Sequence, residues 1–455
     1  MADSTSNAYA ILLAGGTGTR LWPVSRELYP KQLVKFIGNY SLVQSTIKRL
    51  DPLLDLQKIR VVCGERHYHE IARHINDIGL AAEGKIIREP GGRNTGPAIL
   101  LAAFHIHHLA ANGIMCVFPA DHVIGNIESF HERLRAAIDL AERGYIVTFG
   151  IQPNYPETGY GYIEGGEAID ERIFRVKRFV EKPDRATAEK YIRAGNFFWN
   201  SGMFAFKVSV ILEEFKTYQP QMLAAMEACF SVDRPLAGEE YDRLENISID
   251  YAIMEKTDKC VVMPSDFGWS DIGSWKSLYD FLKKDDDNNV IEGDVIARDT
   301  RNCFIQGHDR LIATNCLRDM VVVETPDSIF VSDLEHSRDV KSIVSELKDR
   351  GRKESRQHRT VYHPWGISRL LEQRDRYAAL ELTIYPAAIL HLPGDERTTQ
   401  HLLAIDGAVR LTDAAGDRTL NAGESFTAAG PDPIRLENTG PQAVRLIQVG
   451  LTLKV

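Results

Sequence analysis

An α/β domain followed by β-only structure is the fold class that three features of the 455-residue chain predict. Short apolar runs alternate with helical patterns through the first half, as in KIRVVCG, IARHINDIG, IMCVFPADHVI and IVTFGI. That is the pattern of βαβ units around a largely parallel sheet with helices on both faces. The acidic run KKDDDNN, residues 283–289, interrupts it. NVIEGDVIARDT, NCFIQGHDRLIAT and MVVVETPDSIFVSD then repeat a short strand-and-turn unit, as successive coils of a β-helix would. The charged stretch SRDVKSIVSELKDRGRKESRQHR reads as a connecting helix, and alternation with glycine and aspartate turns from Tyr362 to Val455 predicts a compact β-sandwich or barrel.

The first strand is the apolar run Ala8 to Leu13, and the turn after it is rich in glycine: LLAGGTGTRLWPVSRELYPKQL. Gly15, Gly16 and Gly18 would let backbone N–H groups converge on an anion, because no Cβ stands in the way. Arg20 and Lys31 add full charges. Two better-known phosphate loops are excluded: no Gly-Lys-Ser/Thr follows, and Leu21 stands where a dinucleotide fingerprint needs its third glycine. An ordinary glycine turn and a polyphosphate loop both remain open, and the two cations favour the second.

Bulk properties narrow the setting. With 44% hydrophobic and 26% charged residues the chain reads as a soluble protein long enough for two or three domains. A formal charge of −9 argues against a nucleic-acid surface and leaves phosphate binding to a local cluster. No stretch is apolar enough to span a bilayer, and MADSTSNAYA has no secretory pattern, so a cytoplasmic location without membrane partners is expected. The six cysteines are scattered without a Cys-x-x-Cys pair and read as reduced, buried apolar residues.

Three further stretches carry chemistry. VFPADHVI delivers Asp121 to the carboxyl end of an apolar strand, where a carboxylate is costly unless it holds a cation. Asp271 sits in the glycine-bounded turn of DFGWSDIGSW. Each aspartate alone suits an N-cap or a turn. Together with the glycine loop they suggest Mg²⁺ beside a nucleoside triphosphate, since magnesium takes few carboxylates plus phosphate oxygens. In RFVEKP, Pro183 stops a strand pattern and leaves Lys182 at its end, either solvated or gripping a monophosphate.

Seven motifs, GGTGTRLWPVSRELYPKQ, EPGGRNTGPAI, FPADHVI, ETGYGYIE, FVEKP, FWNSGMF and FGWSDIGSW, stand in an order that resembles the nucleotide-sugar pyrophosphorylases. Within them the chain is most similar to the mannose-1-phosphate guanylyltransferases of the long bacterial type, and the resemblance covers nearly all of it. It implies a Rossmann-like nucleotidyltransferase domain with a mixed, mostly parallel sheet over 1–288, a short left-handed β-helix and connector over 289–350, and a cupin-like β domain over 351–455. The implied reaction converts GTP and mannose 1-phosphate to GDP-mannose and pyrophosphate, with no protein nucleophile. By the same resemblance Leu13, Ala14, Gly15, Gly16, Gly18 and Arg20 hold the nucleotide, and Gly92, Arg93, Asn94 and Thr95 form the base-reading loop. Arg20 stabilises pyrophosphate, Lys31 is a second cation, Asp121 and Asp271 are the Mg²⁺ ligands, and Lys182 clamps the sugar phosphate beside Gly161, Glu181 and Asn200. Glycine spacing does not distinguish bases, so a uridylyl or thymidylyl transferase acting on glucose 1-phosphate is the nearest alternative. A silent regulatory subunit of the same fold is the alternative from another class.

The carboxyl-terminal domain departs from this pattern. Bifunctional relatives open it with Arg-Pro-Trp-Gly and carry a histidine-rich metal site, whereas this chain has His363 before PWG and places Asp395, Arg397, Gln400 and Ile434 at the ligand positions. One carboxylate among these does not make a transition-metal site. His391 and His401 read as ordinary strand residues. A loss of metal binding is therefore expected there, with a role in covering the β-helix or in forming a homo-oligomer.

Overall fold

The computed structural model describes residues 4–16, 18–170, 172–231 and 236–452. The first part of the chain is built on strands β1 Ala8–Leu13, β2 Ile59–Gly64, β3 Ile86–Glu89, β4 Ile114–Pro119, β5 Val123–Ile124, β6 Ile146–Ile151, β7 Tyr162–Asp170, β8 Ile173–Val180, β9 Phe197–Lys207, β10 Cys260–Ser265 and β11 Trp269–Ser270. Nine of them form one sheet in the order β3-β2-β1-β4-β9-β6-β10-β8-β7.

The sheet is mixed, as the family resemblance implies, but parallel pairing covers less of it than expected. β3, β2, β1 and β4 are parallel throughout, as is β6 with β10. β9 runs antiparallel to β4, β6 and β7, and the β7–β8 hairpin is antiparallel to its neighbours. The β7–β8 hairpin returns without a crossover helix, whereas β9 follows the helix Arg185–Ala194 and still runs antiparallel to its neighbours, so strand–helix alternation alone does not fix its direction.

Both faces of the parallel half are covered, which explains why its strands are apolar runs rather than alternations. In β1, Ala10 and Leu12 enter one core with Val61, Cys116 and Phe118, while Ile11 enters the opposite core with Val62, Met115 and Val117. The helix Ile127–Glu142 packs in the first core through Phe130, Leu134 and Ile138. The helix Thr95–Leu109 packs in the second through Ile99, Ala102 and Ile106, and most of its circumference is buried.

Strands β12 Val290–Glu292, β13 Val295–Arg298, β14 Phe304–Gln306, β15 Ile312–Asn315, β16 Met320–Thr325 and β17 Ser328–Asp333 follow. β12, β14 and β16 stack in parallel, as do β13 and β15, which is the stacking of a β-helix. Coil corners at Asn288, Asn302 and Asp319 take left-handed backbone, φ 62, 55 and 55°, at residue types that tolerate it. Their side chains form a ladder: Asn288 Nδ2 donates to Asn302 Oδ1 at 2.8 Å, and Asn302 Nδ2 to Asp319 Oδ1 at 3.0 Å. Five cysteines are buried as expected, but Cys316, at another such corner with φ 56°, is exposed. The connecting helix is shorter than its charged pattern suggested. It runs Val340–Asp349 and stops before Gly351, φ 64°, with a 3₁₀ turn Lys353–Ser355 after it.

The last part comprises β18 Thr360–His363, β19 Gly366–Arg374, β20 Tyr377–Ile384, β21 Ile389–Leu392, β22 Asp395–Asp406, β23 Ala408–Asp413, β24 Gly416–Asn421, β25 Ser425–Gly430, β26 Ile434–Glu437 and β27 Val444–Thr452. A six-stranded sheet, β18-β19-β20-β27-β22-β25, and a four-stranded one, β21-β26-β23-β24, share a core that includes Leu382, Leu402, Val409, Leu436 and Leu446. Ile434 is part of that core. Asp395 accepts from the Arg397 N–H at 2.9 Å and from Thr398 Oγ1 at 3.2 Å, and Gln400 bonds the Pro393 carbonyl and Gln448. By contact density the chain divides into two compact units, one of Met1–Gln306, Ile312–Val323 and Phe330–Val344, the other of Gly307–Leu311, Glu324–Ile329 and Ser345–Val455.

Candidate active site

Strand order reverses at β1, with β2 on one side and β4 on the other, so a crevice opens at their carboxyl ends. A cavity of about 430 Å³ occupies it. One wall is Leu13, Gly15 and Gly16, the last with φ 94°, and the other is Gly92, Arg93, Asn94 and Thr95. Asn94, φ 67°, caps the helix Thr95–Leu109 by accepting from the Thr95 N–H at 2.9 Å, and Arg93 pairs with Asp242 at 2.8 Å. Thr95 Oγ1 accepts from the Ile249 N–H at 2.9 Å.

Ala14 and Gly18 are not among the lining residues. The Ala14 carbonyl accepts from Gln32 Nε2 at 2.6 Å, turned inward. Gly18, φ 54°, lies so close to Lys31 that a Cβ would stand 2.8 Å from the Lys31 Cβ, so its missing side chain serves that close approach.

Two further carboxylates, Glu89 and Asp250, line this cavity. Glu89, at the end of β3, is 5% exposed, and its Oε1 accepts from the Tyr241 hydroxyl at 2.6 Å. Burial pushes its carboxyl up to about 7, against the Tyr241 bond, which favours the ionised form. A Cβ on Gly15 would lie 4.0 Å from Glu89 Oε2, in ordinary van der Waals contact, so that oxygen is on the side of the glycine loop. Asp250 also lines the cavity and accepts from Asn200 Nδ2 at 2.7 Å; burial holds its carboxyl above the usual range, with Glu181 contributing. Glu89 stands at the start of the EPGGRNTGPAI motif and Asp250 in none of the seven motifs, and long-range packing joins both to the glycine loop.

Asp121 and Asp271 are joined by a two-residue ladder. β5, just after Asp121, pairs antiparallel with β11, just before Asp271, in the register Ile124 to Trp269 and Val123 to Ser270. Lys31, nearly buried, ties the two loops again: its ammonium lies 3.0 Å from Asp121 Oδ2 and also donates to the Asp271 carbonyl. Burial pushes the Asp121 carboxyl up, but Lys31, His122 and hydrogen bonds outweigh it and hold the carboxyl below the usual range. His122, which follows Asp121 in the FPADHVI motif, accepts at Nδ1 from Trp269 Nε1 at 3.2 Å. Burial lowers its pKa to about 4, so the ring is neutral with its proton on Nε2, 3.7 Å from Asp121 Oδ1. Beneath it the buried Arg49 donates to the His122 carbonyl at 2.6 Å.

Asp271 Oδ1 accepts from the Tyr160 hydroxyl at 2.6 Å and the Gly273 N–H at 2.9 Å, neither of which uses Oδ2. Burial and the neighbouring carboxylate raise the Tyr160 pKa, so the phenol keeps the proton it donates. Arg20, exposed, lines a second cavity of about 220 Å³ together with Tyr160 and Asp271.

Gly161, Glu181, Lys182 and Asn200 form a third group. The Asn200 N–H donates to the Gly161 carbonyl at 2.8 Å, and a Cβ on Gly161 would stand 2.6 Å from Glu181 Oε2. Lys182, φ 47°, pairs with Glu181. Asn200 joins this group to Asp250 and hence to the first cavity.

Asp121 and Asp271 fit a divalent cation held with phosphate oxygens. Asp121 is part-exposed at 32%, Asp271 keeps Oδ2 clear of its own hydrogen bonds, and two carboxylates are what magnesium uses beside a polyphosphate. No cluster of three or more His, Cys, Asp or Glu suited to a metal occurs among the described residues, so a protein-only cage is not formed there.

Comparison with known proteins places the chain in a family. The nucleotidyl transferase family matches residues 9–288, the MannoseP isomerase/GMP-like beta-helix domain residues 293–347, and the mannose-6-phosphate isomerase C-terminal family residues 350–453. Mannose-1-phosphate guanylyltransferase 2 of Escherichia coli O157:H7 is 40% identical over 97% of this chain and 94% of its own. The xanthan biosynthesis protein XanB of Xanthomonas campestris pv. campestris (strain B100) is 39% identical over 98% of this chain and 95% of its own. A crystal structure from Thermus thermophilus, named a mannose-1-phosphate geranyltransferase, superimposes with TM-score 0.68 at 34% identity, covering 75% of this chain and 99% of that one. Divalent-metal use is general in the nucleotidyl transferase family. With relatives of this identity aligned over nearly the full length of both chains, the chain belongs to the mannose-1-phosphate guanylyltransferase family.

Proposed function

We propose that the chain transfers GMP from GTP to mannose 1-phosphate, and that Glu89 reads the guanine. The observation that carries the base assignment is the buried carboxylate in the first cavity, one oxygen held by Tyr241 and the other facing Gly15. Guanine presents two adjacent donors, N1–H and N2–H, to which a carboxylate is complementary. Uracil and thymine present one N–H between two carbonyls, which a carboxylate repels.

In this reading the triphosphate runs from that cavity past Gly15 and Gly16 towards Arg20. A phosphate oxygen of mannose 1-phosphate attacks the α-phosphorus; the new P–O bond forms as the bond to the bridging oxygen breaks, whose electron pair leaves with pyrophosphate. Nothing in the protein need become covalently attached, so its work is alignment and charge neutralisation. Lys182 grips the incoming phosphate while Glu181 and Asn200 meet the sugar. Arg20 meets the charge growing on pyrophosphate. Lys31 fixes the Asp121 and Asp271 loops relative to each other. Magnesium held by those two aspartates would supply positive charge to the phosphate oxygens.

The test is incubation with each nucleoside triphosphate and labelled sugar phosphate. GDP-mannose is expected, with pyrophosphate release that depends on mannose 1-phosphate. A higher kcat/KM with UTP or dTTP and glucose 1-phosphate overturns the guanylyl reading, and no turnover with any pair supports the silent subunit. Glu89→Gln is expected to lower kcat/KM for GTP by about 10- to 100-fold, the worth of a charged buried hydrogen bond, and to narrow the gap to UTP, whose N3–H and O4 suit an amide.

A further inference from the structure

The second cavity contains two cations that the reading above does not use. Its lining joins Arg20, Tyr160, Asp271 and Ser274 to Arg338 and Lys341, which come from beyond the β-helix strands: Arg338 from the 3₁₀ turn Glu335–Asp339 and Lys341 from the first turn of Val340–Asp349. All of them belong to one compact unit.

Arg338 is committed to the wall. Its guanidinium makes a two-pronged pair with the buried Glu157, Nη1 to Oε1 at 3.0 Å and Nη2 to Oε2 at 2.6 Å. Glu157 Oε1 in turn accepts from the Gly159 N–H at 2.7 Å, which sets the turn that presents Tyr160 to Asp271. Arg338 and Glu157 therefore cancel in charge. Asp271 is assigned to a cation. That leaves Arg20 and Lys341, neither of which makes an ion pair among the described residues, facing one small cavity in a chain whose net charge is −9. A cavity that holds uncompensated cations and the hydroxyls of Ser274 and Ser277, and that adjoins the carboxylate bound for a metal, suits a compact polyanion.

We propose that Lys341 is a pyrophosphate-binding residue, which with Arg20 makes a subsite for the outermost phosphate of GTP in the forward direction and of inorganic pyrophosphate in the reverse. The β-helix part of the chain thereby contributes directly to the reaction rather than spacing two domains. This rests on the nucleotidyltransferase reading of the site. Arg338 is a positioning residue in it, holding the 157–160 turn through Glu157.

The test uses the full-length protein in the reverse direction, GDP-mannose with inorganic pyrophosphate, and equilibrium binding of inorganic pyrophosphate by calorimetry. Lys341 is exposed, so Lys341→Met should fold as the parent does, which a melting curve checks. The expected result is a rise of about tenfold in both the KM and the Kd for pyrophosphate, the scale of one charge-assisted hydrogen bond, with the KM for GDP-mannose within about twofold of the parent. Lys341→Arg should restore most of the loss. Unchanged pyrophosphate KM and Kd in Lys341→Met overturn the proposal, as does an equal rise for both substrates. Failure of the parent to make GDP-mannose from GTP would strike the underlying reading instead, a separate result from the pyrophosphate binding comparison.

Discussion

Burying Glu89 makes the fold less stable at neutral pH. Its carboxyl titrates near 7 in the folded chain against a reference of 4.5, so between those values the folded chain keeps a proton that the unfolded chain has released. Stability contributed by this group is present below about pH 4.5, falls as pH rises through 7, and stays lost above it. Glu89→Gln escapes that loss while its carbonyl still accepts from Tyr241. The variant should therefore melt higher than the parent at pH 8, by free energy on the order of 3 kcal/mol at most, with the gap closing towards pH 4.5. Melting curves at four pH values decide it, and a gap independent of pH would mean that Glu89 is not the titrating group. Residues of this kind were hidden in the sequence. Asp121 and Asp271 stand out because each follows an apolar strand or sits in a tight glycine turn, whereas Glu89 and His122, though inside EPGGRNTGPAI and FPADHVI, have no local pattern that marks their role, and Asp250 stands in none of the motifs. Their significance comes from Tyr241, Trp269 and Asn200, each far away along the chain.

Among the elements, the short ladder between β5 and β11 and the contact of Gly161 with Glu181 show how little structure is needed to join distant motifs. A Cβ on Gly161 meets the end of a flexible side chain, not backbone. Gly161→Ala should thus leave the melting temperature within a few degrees of the parent but displace Glu181 and its partner Lys182, raising the KM for mannose 1-phosphate about tenfold while that for GTP holds. Equal changes in both KM values would remove Glu181 from the sugar side. The parallel strands were legible because burial on two faces leaves a continuous apolar run. The antiparallel return of β9 was not, since its run FFWNSGMFAFK fits either orientation and only the partners decide. The connecting helix was overread for a related reason: charge periodicity continues past Gly351, where the backbone turns left-handed.

For the molecule as a whole, we propose that the carboxyl-terminal domain holds no transition metal, because the side chains at the expected ligand positions are engaged otherwise. Ile434 is packed in the core, Gln400 is hydrogen-bonded to Pro393 and Gln448, and Asp395 is satisfied by Arg397 and Thr398. A coupled assay for fructose 6-phosphate and mannose 6-phosphate interconversion, with Zn²⁺, Co²⁺ or Mn²⁺ added, should show no activity. Activity that disappears with the last domain would point to a site built on His391 and His401. The six thiols have a practical consequence as well. Cys63 and Cys116 are pushed up to about 12 by burial and Cys260 is raised likewise, while Cys316 alone lies exposed at its coil corner. A maleimide fluorophore added to the unaltered protein should thus report from a single address, on the same β-helix that leads to Lys341.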